Sequence, residues 1–282
     1  MRIMPENIYL KNHVLPISER TCIMGILNVT SDSFSDGGMY LDPERAVEKA
    51  LAMSAEGVDI IDIGGESSRP GSERITAEEE LGRVMPVIKA LRNVVNVPLS
   101  IDTWKSAVAE AALAEGVAIV NDITALRGDR DMARTIARFD AGVILMHMKG
   151  EPQTMQDKPF YEDMMKEVAS YLSGAIALAT EAGIDRAKII IDPGIGFGKT
   201  LEQNLEILRD LRRLGVLDKP IMVGTSRKSF IGKLTGKDAG KRVFGTAATL
   251  AAAVMNGAHI VRVHDVDMMR DVTRVTDAIA GA

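Results

Sequence analysis

One pattern recurs eight times along this chain of 282 residues: a short apolar run, a polar or glycine-bearing turn, then an amphipathic stretch with helical spacing. The runs lie at 22–27, 58–63, 98–101, 118–120, 142–146, 189–191, 221–224 and 260–263. They are short, rich in Ile and Val and lack regular alternation, as strands do when both of their faces are buried in a parallel sheet. Eight strand–helix units are the count of a (β/α)8 barrel, which takes about 250 residues as one unit. A doubly wound sheet fits less well, since no G-x-G-x-x-G follows the first run. The expected architecture is therefore α/β, a single TIM-barrel domain over residues 1–282. Within residues 1–20, the segment 7–17 reads as a short hairpin plugging the barrel base.

Helix boundaries support the same division. Asp42-Pro43 reads as N-cap and first helical residue, with Gly57 closing that helix. Thr76-Ala-Glu-Glu79 and Thr200-Leu-Glu-Gln203 both fit the capping box. Gly116, Gly183 and Gly215 stand where helix C-caps are needed. Leu81, Val84, Met85, Ile88 and Leu91 form a 3.6-residue stripe, with Pro86 as an expected kink.

Composition narrows the function. A net charge of −5 argues against a broad basic surface for nucleic acid. The single cysteine, Cys22, excludes an internal disulfide framework and a multi-cysteine zinc site. The greasiest run, 247–255, falls well short of the roughly 20 residues of a membrane span, and the N-terminus shows no apolar signal-peptide core. A cytoplasmic protein acting on small molecules is expected.

A barrel of this kind builds its active site at the C-terminal strand ends. The first polar residues there are Asn28, Asp62, Asp102, Asn121, His147, Asp192, the run from Ser226 to Lys228, and Arg262 with His264. Asp102, Asn121 and Asp192 form a carboxylate and amide face, suited to a heterocycle carrying a row of N–H donors. Arg69, Lys228, Arg262 and His264, with Ser68 and Ser229 beside them, form a cationic face suited to phosphate oxygens. The plainer alternative pairs the acids with Lys105 and Lys199, and the cations with Glu66 or Asp265. Two connections, 29–41 and 64–75, exceed the usual 2–6 residues and read as candidate lids, with Phe34 placed to close over a flat substrate. The run from Gly194 to Thr200 tempts a phosphate-binding-loop reading, which fails because Pro193 stands where that motif requires glycine.

Across nearly its whole length the chain resembles the dihydropteroate synthase family. The segments that carry the likeness are GILNVTSDSFSDGG from Gly25, DIGGESSRPGS from Asp62, SIDTWK from Ser100, NDI from Asn121, LMHMKGEPQTMQ from Leu145, IDPGIGFGKT from Ile191, GTSRKSFIG from Gly224 and RVHD from Arg262. The resemblance implies a transferase of folate biosynthesis that joins 6-hydroxymethyl-7,8-dihydropterin diphosphate to 4-aminobenzoate and releases diphosphate. It implies pterin contacts at Asp102, Asn121, Asp192 and Lys228, with Met146 and Gly224 as walls of the slot. It further implies diphosphate handling by Ser68, Arg69, Arg262 and His264, and Mg2+ at Asn28. Phe34, Pro70, Phe197 and Ser229 then surround the 4-aminobenzoate, and the chain is expected to be a homodimer. Of these residues, Asp102, Lys228, Arg262 and His264 are expected to carry catalysis. Ser31 stands where the family usually has proline, and Ser68 where it usually has threonine. The competing readings are a pterin-binding methyltransferase domain, which has little use for the cationic face, and a pterin-binding paralogue without turnover. A Schiff-base aldolase built on Lys228 lacks any sign of a desolvated amine.

Overall fold

The computed structural model describes residues 5–30, 43–67, 71–150, 155 and 159–281. Strands β1 (Ile8–Leu10) and β2 (His13–Leu15) form an antiparallel hairpin, as the sequence predicts. Eight parallel strands follow: β3 (Cys22–Asn28), β4 (Ile60–Gly64), β5 (Leu99–Asp102), β6 (Ile119–Asp122), β7 (Gly142–Met146), β8 (Ile189–Asp192), β9 (Met222–Val223) and β10 (Ile260–Val263). They are paired in the order β8-β7-β6-β5-β4-β3-β10-β9. A parallel bridge between Ile191 and Ile221 joins the two ends of that order, closing the barrel.

Helices α1 (Pro43–Ala55), α2 (Ala77–Leu91), α3 (Ser106–Ala114), α4 (Met132–Arg138), α5 (Met164–Glu181), α6 (Leu201–Asp210), α8 (Val243–Met255) and α9 (Val266–Ala280) each follow a strand of the barrel. A short α7 (Ser229–Thr235) precedes α8. Among the described residues no helix is long and apolar enough to cross a membrane.

Two apolar clusters hold this architecture. The larger lies between strands and helices, which is why the strands read as unbroken apolar runs. The smaller fills the lower barrel: Met24, Ile60, Ile119, Ile144, Ile190, Met222 and Ile260 meet Ile8, Leu10, Leu15 and Ile17 of the hairpin. The hairpin thus supplies the apolar floor that the strands cannot supply for themselves.

Local details depart from the sequence reading in four places. Gly215 caps nothing; the chain after α6 tightens into a 3-10 helix, Leu211–Leu217, which ends at left-handed Asp218. Thr76 accepts the Glu79 N–H as expected, but the Glu79 carboxylate turns to Arg83 at 2.5 Å, whereas Thr200 and Gln203 form the full reciprocal box. Helix α2 buries Glu80 along with its apolar stripe, because Lys105 meets that carboxylate inside the fold. Strand β9 has only two residues, since the chain turns away early towards the site. Asp42 lies outside the described residues.

Candidate active site

Side chains two apart on a strand share a face. From the apolar floor, one step of two along each strand reaches the mouth: Ile60 to Asp62, Ile119 to Asn121, Ile144 to Met146, Ile190 to Asp192, Met222 to Gly224 and Ile260 to Arg262. A single period thus carries six strands from aliphatic packing to the residues of the site.

Arg262 is the hub. Its Nε donates to Asp62 Oδ2 at 2.6 Å and its Nη2 to Asp102 Oδ2 at 2.7 Å. Asn121 Nδ2 donates to the same Asp62 oxygen at 3.1 Å. Asp62 is fully buried, and its Oδ1 has no protein partner. Burial pushes the Asp102 carboxyl up to about 7; Arg262 pulls it down, while Asp62 and Glu80 reinforce the rise. Burial works against the Arg262 charge, but Asp62 and Asp102 overcome it and hold the guanidinium above its usual range.

Asp192 stands across the mouth. Its Oδ1 accepts the Gly194 N–H at 2.7 Å, and burial raises its carboxyl above the ordinary range. Lys228 lies with Nζ 4.1 Å from the centroid of the Phe197 ring. Burial lowers its ammonium to about 8, as does Arg262, against the pull of Asp192 and Asp102, so this amine is desolvated where the sequence gave no sign of it. Asp102 is bonded to Arg262, and Asp192 and Lys228 are linked through one turn, whose Gly194 N–H holds Asp192 and whose Phe197 ring lies against Lys228. Ile123, Met146, Met155 and Phe197 form a buried apolar wall there, with Met148 packed against it. Gly224 keeps space open beside Arg262, and Ser229 begins α7 directly after Lys228. A cavity of about 220 Å³ flanks Asp102 on the side of Trp104, Glu66 and Arg127.

His264 does not carry the charge the sequence reading gave it. Burial and the nearby Arg262, Arg227 and Lys49 push its imidazole down to about 3, so it is neutral at pH 7. Ser226 Oγ accepts the His264 backbone N–H at 3.2 Å and lies 2.9 Å from Nδ1. Where the Ser226 hydroxyl donates to Nδ1, the neutral ring carries its proton on Nε2 and offers it as a donor. The turn that brings Ser226 and Lys228 to the mouth passes through left-handed Arg227, φ 59°. Such backbone typically costs about 1–3 kcal/mol and persists only where surroundings enforce it. Here Asp265 grips the guanidinium at 2.5 Å and 3.2 Å, Thr246 accepts the Arg227 N–H, and Arg242 donates to its carbonyl.

Among the described residues the plainer pairings do not form. Lys105 is taken by Glu66 and by Glu80, and Lys199 by backbone carbonyls and His147. Asp265 serves Arg227. Phe34, Ser68, Arg69 and Pro70 lie outside the described residues. Asp62 is the residue whose part the sequence reading missed: it was visible only as one strand-end polar residue. Its signal was a carboxylate inside an apolar strand, which demands a counter-charge on a neighbouring strand. Ile123 gave no signal, since an apolar residue after a strand looks like any other.

A (β/α)8 barrel whose mouth sets acids and an amide against cations and an apolar wall defines an enzyme for a flat, donor-rich ring bearing an anionic group. Residues 24–264 match the family model described as pterin binding enzyme. The chain is 47% identical over 262 residues to the dihydropteroate synthase of Synechocystis, covering 93% of this chain and 91% of that one. Its fold matches the dihydropteroate synthase of Xanthomonas albilineans with 4-aminobenzoic acid at a TM-score of 0.92 and 42% identity, over 99% of this chain and 100% of that one. The Clostridium difficile enzyme in the presence of pteroic acid gives 0.88 at 47% identity, over 93% and 97%. The chain belongs to the pterin-binding enzyme family and, within it, to the dihydropteroate synthases.

Proposed function

We propose that this chain displaces diphosphate from 6-hydroxymethyl-7,8-dihydropterin diphosphate with the amine of 4-aminobenzoate, using the residues gathered around Arg262. The observation that carries this reading is the pairing of Asp102 with Arg262 at the barrel mouth, beside the turn that holds Asp192 and seats Phe197 against Lys228. Asp192 and Asn121 take the ring's N–H donors, Lys228 meets its oxygen or ring nitrogen, and Met146 and Phe197 cover its faces. Arg262 and the Nε2–H of His264 receive the departing diphosphate, with Ser68 and Arg69 assigned there on the family resemblance. The bond between the exocyclic carbon and the diphosphate oxygen breaks with its electron pair leaving on oxygen. The positive charge left on that carbon faces Asp102, and a low-dielectric slot makes such a contact strong. The amine nitrogen forms the new C–N bond and loses its proton to water. An aromatic amine is neutral at pH 7, so proximity rather than a strong base carries the step.

The residues present fit a Mg2+ ion that arrives with phosphate. Among the described residues no group of three or more His, Cys, Asp or Glu offers a dedicated cage. Mg2+ commonly uses one or two protein oxygens together with water and substrate phosphate. Asn28 ends β3 with its Oδ1 on the Asp102 side of Gly64. Bound there, the ion would neutralise charge on the leaving group.

Ser229→Ala is expected to raise KM for 4-aminobenzoate about threefold to tenfold while KM for the pterin diphosphate stays within twofold, because this exposed hydroxyl lies beyond the ring slot. Steady-state kinetics with each substrate varied in turn reads the difference. The free enzyme also dictates a pH profile. The pterin slot works with Asp102 ionised and Lys228 charged, so kcat/KM should peak between about 7 and about 8. It falls below as Asp102 gains its proton and above as Lys228 loses one; a flat profile from pH 6 to 9 would refute both assignments.

The same reading makes the chain a homodimer. Helices α8 and α9 expose Phe244, Met268, Val275 and Ile279, an apolar stripe with helical spacing on α9. It also places the chain in the cytoplasm, where a free, buried Cys22 stays reduced. Light scattering should give twice the chain mass, and Val275→Asp with Ile279→Asp should give the monomer; a parent that scatters as one chain contradicts the dimer.

A further inference from the structure

The Gly194–Thr200 run left one residue without a part, the lysine that gives it the look of a phosphate-binding loop. Lys199 is almost fully buried. Its Nζ donates to Phe197 O at 2.8 Å and Gly194 O at 2.9 Å, and meets His147 Nδ1 at 2.9 Å, with His147 O further off at 3.4 Å. Burial lowers the Lys199 ammonium to about 7, against the pull of Asp192; in the charged form its three protons meet three close acceptors. Burial first, then Lys199 itself, pushes the His147 imidazole down to about 2, so its Nδ1 is free to accept. The His147 ring is fixed in turn by Tyr171, edge-on with centroids 4.8 Å apart.

These bonds clamp one turn from behind. Gly194 and Gly198 have φ of 68° and 63°, and a side chain at either would overlap the carbonyl of His147 or Lys149. Asn204 Oδ1 takes the Gly196 N–H at 2.6 Å, and Tyr161 Oη donates to Gly198 O at 2.9 Å. The front of the turn faces the site. Its Gly194 N–H orients Asp192, its Phe197 ring lies against Lys228 Nζ, and Gly196 packs on the Lys228 stem.

We propose that Lys199 is a positioning residue: by tying the Gly194 and Phe197 carbonyls to His147, it fixes the turn that orients Asp192 and seats Phe197 against Lys228. It thereby sets affinity for the pterin ring without touching it. This rests on the pterin-binding reading above. Lys199→Met keeps the length of the side chain and removes its three donors.

Calorimetry with the pterin diphosphate and, separately, with inorganic diphosphate tests the proposal on the whole chain. For Lys199→Met, affinity for the pterin diphosphate should fall about tenfold or more, the equivalent of one lost charge-assisted bond, with inorganic diphosphate within twofold of the parent. His147→Leu removes one acceptor and should show the same selective pattern at about threefold, and it decides the matter if Lys199→Met does not fold. Equal losses for both ligands, or no loss for either, overturn the positioning role. A parent chain that binds no pterin diphosphate overturns instead the reading on which it rests.

Discussion

Replacing Asp192 by alanine is expected to weaken pterin diphosphate binding by about 10²–10³-fold, equivalent to about 3–4 kcal/mol. Asp192 is a buried carboxylate with one oxygen given to the Gly194 N–H. Its other oxygen has the burial and charge to take a ring donor, and alanine leaves that donor unpaired in a dry slot. Asp192→Asn separates charge from shape, because an amide oxygen still accepts from Gly194. It should lose about tenfold, with Phe197 kept against Lys228. Calorimetry on both variants reads this directly, and inorganic diphosphate, which the proposed reading assigns to Arg262 and His264, should bind each as it binds the parent. Parent-like pterin affinity in Asp192→Ala would remove Asp192 from the site.

Arg262→Ala should damage both folding and turnover. Two buried carboxylates, Asp62 and Asp102, rely on this one guanidinium. Stranding a buried charge typically costs about 3–5 kcal/mol. For a chain of this size that lowers Tm on the order of 10 °C. The sign with pH follows from Asp102. Its carboxyl already stands at about 7 with Arg262 present, and loss of the cation raises it further. At low pH Asp102 takes a proton and the penalty shrinks; as pH rises and Asp102 ionises, the Tm gap from the parent widens. Turnover should fall at least about 10³-fold if, as proposed, the same guanidinium receives the leaving group. Thermal unfolding at pH 6 and pH 9 checks the first claim, and a Tm gap that narrows towards pH 9 contradicts it.

The sequence made the strands legible because a doubly buried parallel strand leaves an unmistakable apolar run, and period two then identifies the residue at each mouth. The 142–146 and 260–263 runs match β7 and β10 residue for residue, and six others differ mainly at their ends. The closing strand was harder to place, because β9 holds only two residues and the closure rests on the Ile191–Ile221 bridge. What the sequence could not express was register and protonation. That Asp62 meets Arg262, 200 residues away, depends on which strands are neighbours in a closed barrel. That His264 is neutral depends first on its burial, and then on Arg262, Arg227 and Lys49 acting against its proton. Lys199 was open for a similar reason: the sequence offered it as a partner for the acids of the site, and only the three acceptors that meet its Nζ show where it goes.

The most direct test of the account is the release of diphosphate by the purified chain with Mg2+ present, measured with each substrate alone and with both together. The account predicts release only when 6-hydroxymethyl-7,8-dihydropterin diphosphate and 4-aminobenzoate are both supplied, with dihydropteroate formed in equal amount. Tight binding of the pterin diphosphate with no release on adding 4-aminobenzoate would contradict it and leave a barrel that holds pterin without using it.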